Sequence, residues 1–213
     1  MTLYVLERWL ARLAASPHAD KFVLKGGMLL AVFDARRPTA DADLLARSLP
    51  NEDAAVIACV RGVAQTVLPE DDGVEFVVDT ISAESIRGGD QYAGTRVTMM
   101  SRVSTAMVGL KLDINFGDPV TPGPQHIEFP SQRSDYAATV LFGYPIETVL
   151  AEKICTAVSL GEANTRVRDY VDLYTLTGRH ELLYTAVRAA LDATGNYRDV
   201  ELVPLSDIVG LRS

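Results

Sequence analysis

The sequence predicts an α/β chain of the α+β kind: a mixed sheet flanked by helices, followed by a helical C-terminal lobe. Three observations carry this. Strand-like and helix-like stretches interleave through the first two-thirds of the 213 residues. Residues 74–78 and 109–114 alternate with the period of two that a half-buried strand shows. From Tyr144-Pro145 onward the apolar period turns helical and stays so, which implies a mixed sheet with a helical cap.

Taken in order, Leu3, Leu6, Trp9, Leu10 and Leu13 recur at helical spacing, and Pro17 and Asp20 end that opening helix. Phe22-Val23-Leu24 is a short apolar strand running into Lys25-Gly26-Gly27, after which 28–33 resumes a helix. Pro38 biases Arg37 away from helix. Residues 40–45 read as a second strand with Asp41 and Asp43 on one face. Asn51 is placed to cap a helix whose first turn holds Glu52 and Asp53, favourable at the positive dipole end. Its apolar stripe is Val56, Ile57, Val60, Val63, Ala64 and Val67. Val74, Phe76 and Val78 suggest a third strand, and Gly88-Gly89 a loop. Residues 95–103 and 106–114 are two further strands around a tight turn. In the second, Leu110, Leu112 and Ile114 face one way, and Gly109, Lys111 and Asp113 the other. Pro119, Pro122, Pro124 and Pro130 predict a surface loop, and the domain boundary falls at Tyr144-Pro145, giving domains 1–144 and 145–213.

Composition narrows the function classes. At 48% hydrophobic and 23% charged residues the balance is that of a soluble globular protein. No apolar run is long enough to span a bilayer, and Glu7, Arg8 and Arg12 interrupt any signal-like segment, so a cytoplasmic protein without membrane association is expected. Cys59 and Cys155 lie in apolar helical patterns and read as buried free thiols rather than a disulfide. The net charge of −8, from 28 acidic and 20 basic residues, argues against nonspecific coating of nucleic acid. A nucleic-acid substrate gripped locally is still allowed.

The chemistry lies in the carboxylates. Residues two apart on a strand project to one side, about 6.5–7 Å apart, so Asp41 and Asp43 can converge on metal ions. A solvated acidic strand face is the alternative. Strand, Gly26-Gly27, helix is a geometry in which backbone N–H groups meet a phosphate, though it also serves as a plain turn. Arg36 and Arg37 add positive charge just upstream, and Thr39 sits two residues before Asp41. Asp113 supplies a third carboxylate; its role would be to share a metal and help an acceptor hydroxyl lose its proton. Pairing with Lys111 on an edge strand is the bland reading.

Beyond the boundary, stepping about 100° per residue along Ile146–Leu160 puts Lys153 inside the arc of Ile146, Leu150, Ile154, Ala157 and Leu160, with Glu152 pointing away. In the next helix Val167, Tyr170, Leu173, Tyr174 and Leu176 define an apolar side. Asp169 lies within it, Arg166 near its middle and Asp172 at its edge. An inward ammonium needs a counter-charge, which a phosphate or a neighbouring aspartate would provide.

The run Leu24-Lys25-Gly26-Gly27 followed by Arg37-Pro38-Thr39-Ala40-Asp41-Ala42-Asp43-Leu44 resembles the first motif of the AbiEii/MenT nucleotidyltransferase toxins. These are polymerase-β-like enzymes of bacterial toxin–antitoxin and phage-defence systems. Lys111-Leu112-Asp113, Glu152-Lys153 and Arg168-Asp169-Tyr170-Val171-Asp172-Leu173-Tyr174 look like the family's later motifs in the family's order. The resemblance implies a bilobal fold, Mg²⁺ (or Mn²⁺), a nucleoside triphosphate and a cognate antitoxin. Residues 1–144 would be the catalytic domain and 145–213 would complete the nucleotide cleft. It further implies that Asp41, Asp43 and Asp113 hold metal, that Lys153 contacts phosphate, and that Asp169 is a further essential acid. Gly26, Gly27, Arg37, Thr39 and Arg166 would serve the nucleotide. The wider superfamily often has Gly-Ser where this chain has Gly26-Gly27-Met28, so Thr39 or an arginine would replace the missing hydroxyl donor.

The leading expectation is a toxin that transfers a nucleotide from NTP to RNA, most simply the tRNA 3′ end, and so blocks translation. Transfer to a protein side chain or small hydroxyl compound, and a non-catalytic NTP-binding regulator, are the alternatives. Thr39, between Arg37 and Asp41, is also a candidate regulatory phosphosite.

Overall fold

The structure is a computed structural model in which residues 1–87 and 93–203 are described; the Gly88-Gly89 loop expected from sequence lies outside them. Helix α1 spans Thr2–Ala15, and strand β1, Phe22–Lys25, leads into a single turn of helix α2, Gly26–Leu29, which tightens to 3₁₀ over Leu30–Phe33. Then follow β2 (Ala42–Ala46), α3 (Asp53–Ala64), β3 (Val74–Arg87), β4 (Ala93–Val103), β5 (Ala106–Phe116), β6 (Gln125–Phe129) and β7 (Thr139–Gly143). Three helices close the described chain: α4 (Ile146–Leu160), α5 (Val167–Arg179) and α6 (Tyr184–Arg198).

All seven strands form one mixed sheet, ordered β3-β4-β5-β2-β1-β7-β6. The pairs β1–β2, β3–β4 and β4–β5 are antiparallel, whereas β2 runs parallel to β5 and β1 parallel to β7. The chain divides into two compact units. The first holds Met1–Gly117 and His126–Gly143, and the second takes Asp118–Gln125 and the chain from Tyr144 on.

In the first unit, the alternation of β5 does what its sequence predicts: Val108, Leu110, Leu112 and Ile114 are buried. Thr95, Val97, Met99 and Ser101 of β4 lie opposite them, extending the same core face. Strand β1 is buried along its whole length, so it reads as a continuous apolar run rather than an alternation.

Several expectations need correction. Helix α1 is buried well beyond its leucine and tryptophan positions: every residue from Val5 to Leu13 is buried. Its polar side is covered by ion pairs, with Arg8 and Arg12 on Asp72 and Glu7 accepting from Ser131 and Gln132. Helix α3 begins at Asp53 with Glu52, not Asn51, at the cap position, and Val67, beyond its end, is exposed. The proline-rich stretch contains two strands, β6 and β7, which take one edge of the sheet. Short edge strands tolerate flanking prolines, and the His126-Ile127-Glu128-Phe129 alternation was the signal for β6. Both cysteines are buried free thiols, and burial pushes both upward in pKa. Among the described residues no helix is long and apolar enough to cross a membrane.

In the second unit α4 is flanked by α5 and α6. Lys153 and Glu152 both find partners there: Lys153 turns to α5, and Glu152 to Arg198 of α6 at 2.8 Å. Glu152 therefore does not point to solvent. Helix α5 buries only part of the side its apolar residues suggest. Asp172, Leu173 and Leu176 are buried, whereas Val167, Val171 and Tyr174 are exposed.

Candidate active site

The register of the sheet, more than the local sequence, assembles this site. Lys25 of β1 lies opposite Asp43 of β2, and Asp43 opposite Asp113 of β5. Asp113 lies opposite Arg96 of β4, which in turn faces Glu84 of β3. Residues directly opposite one another share a face, so one charged row crosses five strands on the side away from the buried face of β5. Asp41 stands one residue before β2 begins, since the strand starts at Ala42 and not at Ala40.

The three aspartates come together, and Asp43 feels the other two. Burial and the charge of Asp41 raise its pKa to about 6, with a smaller push from Asp113, against Lys25 and the Gly27 N–H, which lower it. Asp113 does not pair with Lys111, and β5 is not an edge strand. Arg96 grips both oxygens of Asp113, Nε to Oδ1 at 2.8 Å and Nη2 to Oδ2 at 2.7 Å. That bond holds the guanidinium still more firmly protonated. Lys111 turns instead to Asp41, at 3.2 Å from Oδ2.

Gly26 is fixed by this cluster. It has φ +63°, and a Cβ built on it would meet Asp43 Oδ2 at 1.9 Å. Only glycine fits a left-handed position this close to a carboxylate. The N–H of Gly27 donates to Asp43 Oδ2 at 3.3 Å. A Cβ on Gly27 would approach Thr39 Oγ1 at 3.0 Å and Arg37 Nη1 at 3.4 Å, so the hydroxyl and guanidinium predicted to serve phosphate hang directly over this turn. Thr39 Oγ1 donates to Asp41 Oδ1 at 3.0 Å. The α-helical turn behind Gly26 is only four residues long, so its dipole contributes little. Arg36 turns elsewhere and donates to the Pro130 carbonyl at 3.0 Å.

A divalent ion suits this donor set: three carboxylates supply hard oxygen ligands, and their mutual repulsion is what such an ion relieves. As the side chains stand, however, no three His, Cys, Asp or Glu groups among the described residues are arranged to hold a metal. Two of the three aspartates are held by cations of the chain instead, Asp113 by Arg96 and Asp41 by Lys111.

Within the second unit Lys153 Nζ donates to Asp169 Oδ1 at 2.9 Å and to Asp172 Oδ2 at 2.6 Å. Asp172 is the more enclosed acid, its side chain 5% exposed against 16% for Asp169. Arg166 is the residue before α5, largely exposed, with its Nε 3.9 Å from Asp169. Sequence reasoning passed over Arg96 and gave Lys25 and Lys111 no role with Asp43 and Asp41. The one signal for Arg96 is its place among the outward residues of β4, a row it shares with a second cation, Arg102.

Compared with known proteins, residues 8–212 match the family described as nucleotidyl transferase AbiEii toxin, type IV toxin–antitoxin system. The chain belongs to the AbiEii family of nucleotidyltransferase toxins. Among solved structures, this AbiEii-family chain resembles MenT4, the nucleotidyltransferase toxin Rv2826c of Mycobacterium tuberculosis H37Rv. The TM-score is 0.60 at 18% identity, over 97% of this chain and 70% of that one. A putative nucleotidyltransferase from Helicobacter pylori gives 0.56 at 18% identity, covering 98% and 84%. JHP933 from Helicobacter pylori gives 0.55 at 16% identity, covering 96% and 84%. At these identities the likeness speaks for the fold, a nucleotidyltransferase fold. No curated protein matches the sequence.

Proposed function

We propose that this AbiEii-family nucleotidyltransferase moves a nucleoside monophosphate from NTP to an RNA acceptor, the tRNA 3′ end, and thereby blocks translation in the cytoplasm under the restraint of a cognate antitoxin. The observation that carries this is the convergence of Asp41, Asp43 and Asp113 beside a turn whose Gly26 leaves no room for a side chain. In this reading the three aspartates hold Mg²⁺ or Mn²⁺, which when bound polarises the phosphate under attack. Gly27, Arg37 and Thr39 orient the phosphates, and Asp113 helps the acceptor hydroxyl lose its proton. Lys153 has three donors, two of them given to Asp169 and Asp172, so a phosphate oxygen would take the third. Arg166 adds positive charge, and Asp169 holds Lys153 in place. Phosphorylation of Thr39 would set roughly two negative charges beside Asp41 and silence the site. Full activity of protein quantitatively phosphorylated at Thr39 would exclude that control.

The test is incubation of the purified protein with labelled NTPs, Mg²⁺ and total RNA. Label is expected at RNA 3′ ends with the wild type and none with Asp41→Ala. Equal transfer by both, or none by the wild type, defeats the proposal. The net charge of −8 favours a second reading, a protein side chain or small hydroxyl compound as acceptor. Label on protein or metabolite, with RNA unlabelled, would select it.

A further inference from the structure

The three aspartates stand among three cations of the same chain. Lys25 faces Asp43, Arg96 grips Asp113, and Lys111 holds Asp41. The formal charges cancel, so the cluster is neutral without any ion from outside. The three cations are not equivalent. Lys25 is buried, 7% exposed, and cannot leave without stranding a charge. The side chains of Arg96 and Lys111 are 32% and 34% exposed, so both can swing to water at little cost. Arg96 also has Glu84 opposite it on β3, a second carboxylate to hold if Asp113 is taken. Meanwhile its fork covers both oxygens of Asp113, as a bidentate guanidinium does.

We infer that Arg96 and Lys111 form a counter-cation latch: they neutralise and position Asp113 and Asp41 before a divalent ion binds and give way when it does, so that ion entry and release of these two side chains are one coupled event. The inference rests on the reading of the aspartates as metal carboxylates. A latch of this kind lowers the apparent affinity for the ion, because the ion must displace a positive charge already in place. It also protects the ion-free protein from the repulsion of three unscreened carboxylates.

Titration calorimetry with Mn²⁺ on the full chain tests this. Arg96→Met and Lys111→Met should each bind Mn²⁺ about tenfold or more tightly than wild type, the scale on which a neighbouring cation changes a carboxylate's affinity for a proton. Arg96→Lys, which keeps the charge, should stay near wild type. In EDTA Arg96→Met should melt below wild type, and saturating Mn²⁺ should narrow that gap because the ion replaces the missing charge. A residue that merely braced the sheet would leave the gap and the affinity unchanged. Mn²⁺ affinity that is unchanged or weaker in both Met variants overturns the latch. Asp43→Asn separates the two levels. Wild-type binding that is absent, or indifferent to Asp43→Asn, sinks the metal reading and the latch with it. Binding that needs Asp43 but is not tightened in the Met variants sinks the latch alone. Should Arg96→Met fail to fold, Lys111→Met decides, since its partner Asp41 is 30% exposed.

Discussion

Two clusters in the first unit are built from the same ingredients, aspartate and arginine, and do opposite things. Around Asp72 one carboxylate meets two guanidiniums. Arg8 Nε reaches Oδ2 at 3.0 Å, Arg12 reaches Oδ2 at 2.6 Å and Oδ1 at 3.0 Å, and the Val74 N–H donates to Oδ1 at 3.0 Å. Burial alone would raise its pKa, but the bonds from Arg12, Val74 and Arg8 outweigh it and hold Asp72 below the usual carboxylate range. Around Asp43 three carboxylates crowd together, and burial with the charge of Asp41 pushes Asp43 up to about 6. The first arrangement settles its one carboxylate with hydrogen bonds; the second crowds three carboxylates so closely that Asp43 stays pushed upward although Lys25, Arg96 and Lys111 balance the formal charge. A site that takes an external cation and phosphate is of the second kind.

The largest expected effect breaks the contrast at its functional end. Asp43→Asn should cut nucleotide transfer about a thousandfold or more, some 4 kcal/mol of barrier, on the scale of losing a metal-held group. The same variant removes the repulsion from Asp41 but also the charge facing buried Lys25, so its melting temperature should stay close to that of the wild type. Initial rates together with thermal unfolding would check both halves, and a strongly destabilised Asp43→Asn would break the comparison.

Asp72→Asn should do the reverse. Removing the carboxylate shared by Arg8 and Arg12 leaves two buried guanidiniums with Glu70 at the rim and Glu7 4.0 Å from Arg8, and breaking a buried pair costs about 3–5 kcal/mol. Urea unfolding should show that loss, while transfer per folded molecule stays unchanged. The pH dependence follows from the sign of the shift. Asp72 has a lower pKa folded than unfolded, so its stabilisation is complete above the unfolded value of about 3.9 and is lost as pH falls through the folded value. Wild type should therefore lose stability below about pH 4 more steeply than Asp72→Asn, as urea midpoints at successive pH values would show.

The same contrast explains what could be read from the sequence. Asp113 was legible because β5 alternates over a buried face and one acid broke its outward row. Gly26 and Asp43 were legible because strand, turn and strand are near in sequence. Arg96 was not, since its meeting with Asp113 depends on the β4–β5 register, and the row as a whole depends on the parallel β2–β5 pair, whose strands are separated by α3 and two long strands. Asp72 was invisible for the same reason: nothing local ties it to a helix sixty residues earlier. Helix α5 misled for a different reason. Its apolar side is only partly its buried side: Leu173 and Leu176 are buried, but Val167 and Tyr174 are exposed, and Asp172 at the edge is covered, held with Asp169 by Lys153. Periodicity reports which faces are apolar, not which are covered.

Thr39 gives the smallest and most discriminating effect, because it touches the Asp43 cluster without carrying charge. Its hydroxyl donates to Asp41 Oδ1 at 3.0 Å and to the Asp41 carbonyl at 3.2 Å, and stands over Gly27. Thr39→Val keeps the shape and deletes the donor. A hydrogen bond to a charged group is worth about 1.5–3 kcal/mol, and part exposure puts this one at the lower end, so kcat/KM should fall about tenfold with little change in melting temperature. The split between the two constants is the informative part. If the hydroxyl chiefly orients Asp41, the loss falls on kcat with KM for NTP unchanged. If it replaces the hydroxyl missing from Gly26-Gly27-Met28 as a phosphate donor, KM for NTP rises as well. Unaltered kcat and KM in Thr39→Val would mean that Asp41 is held by Lys111 alone, and would move the weight of the site from the turn to the sheet.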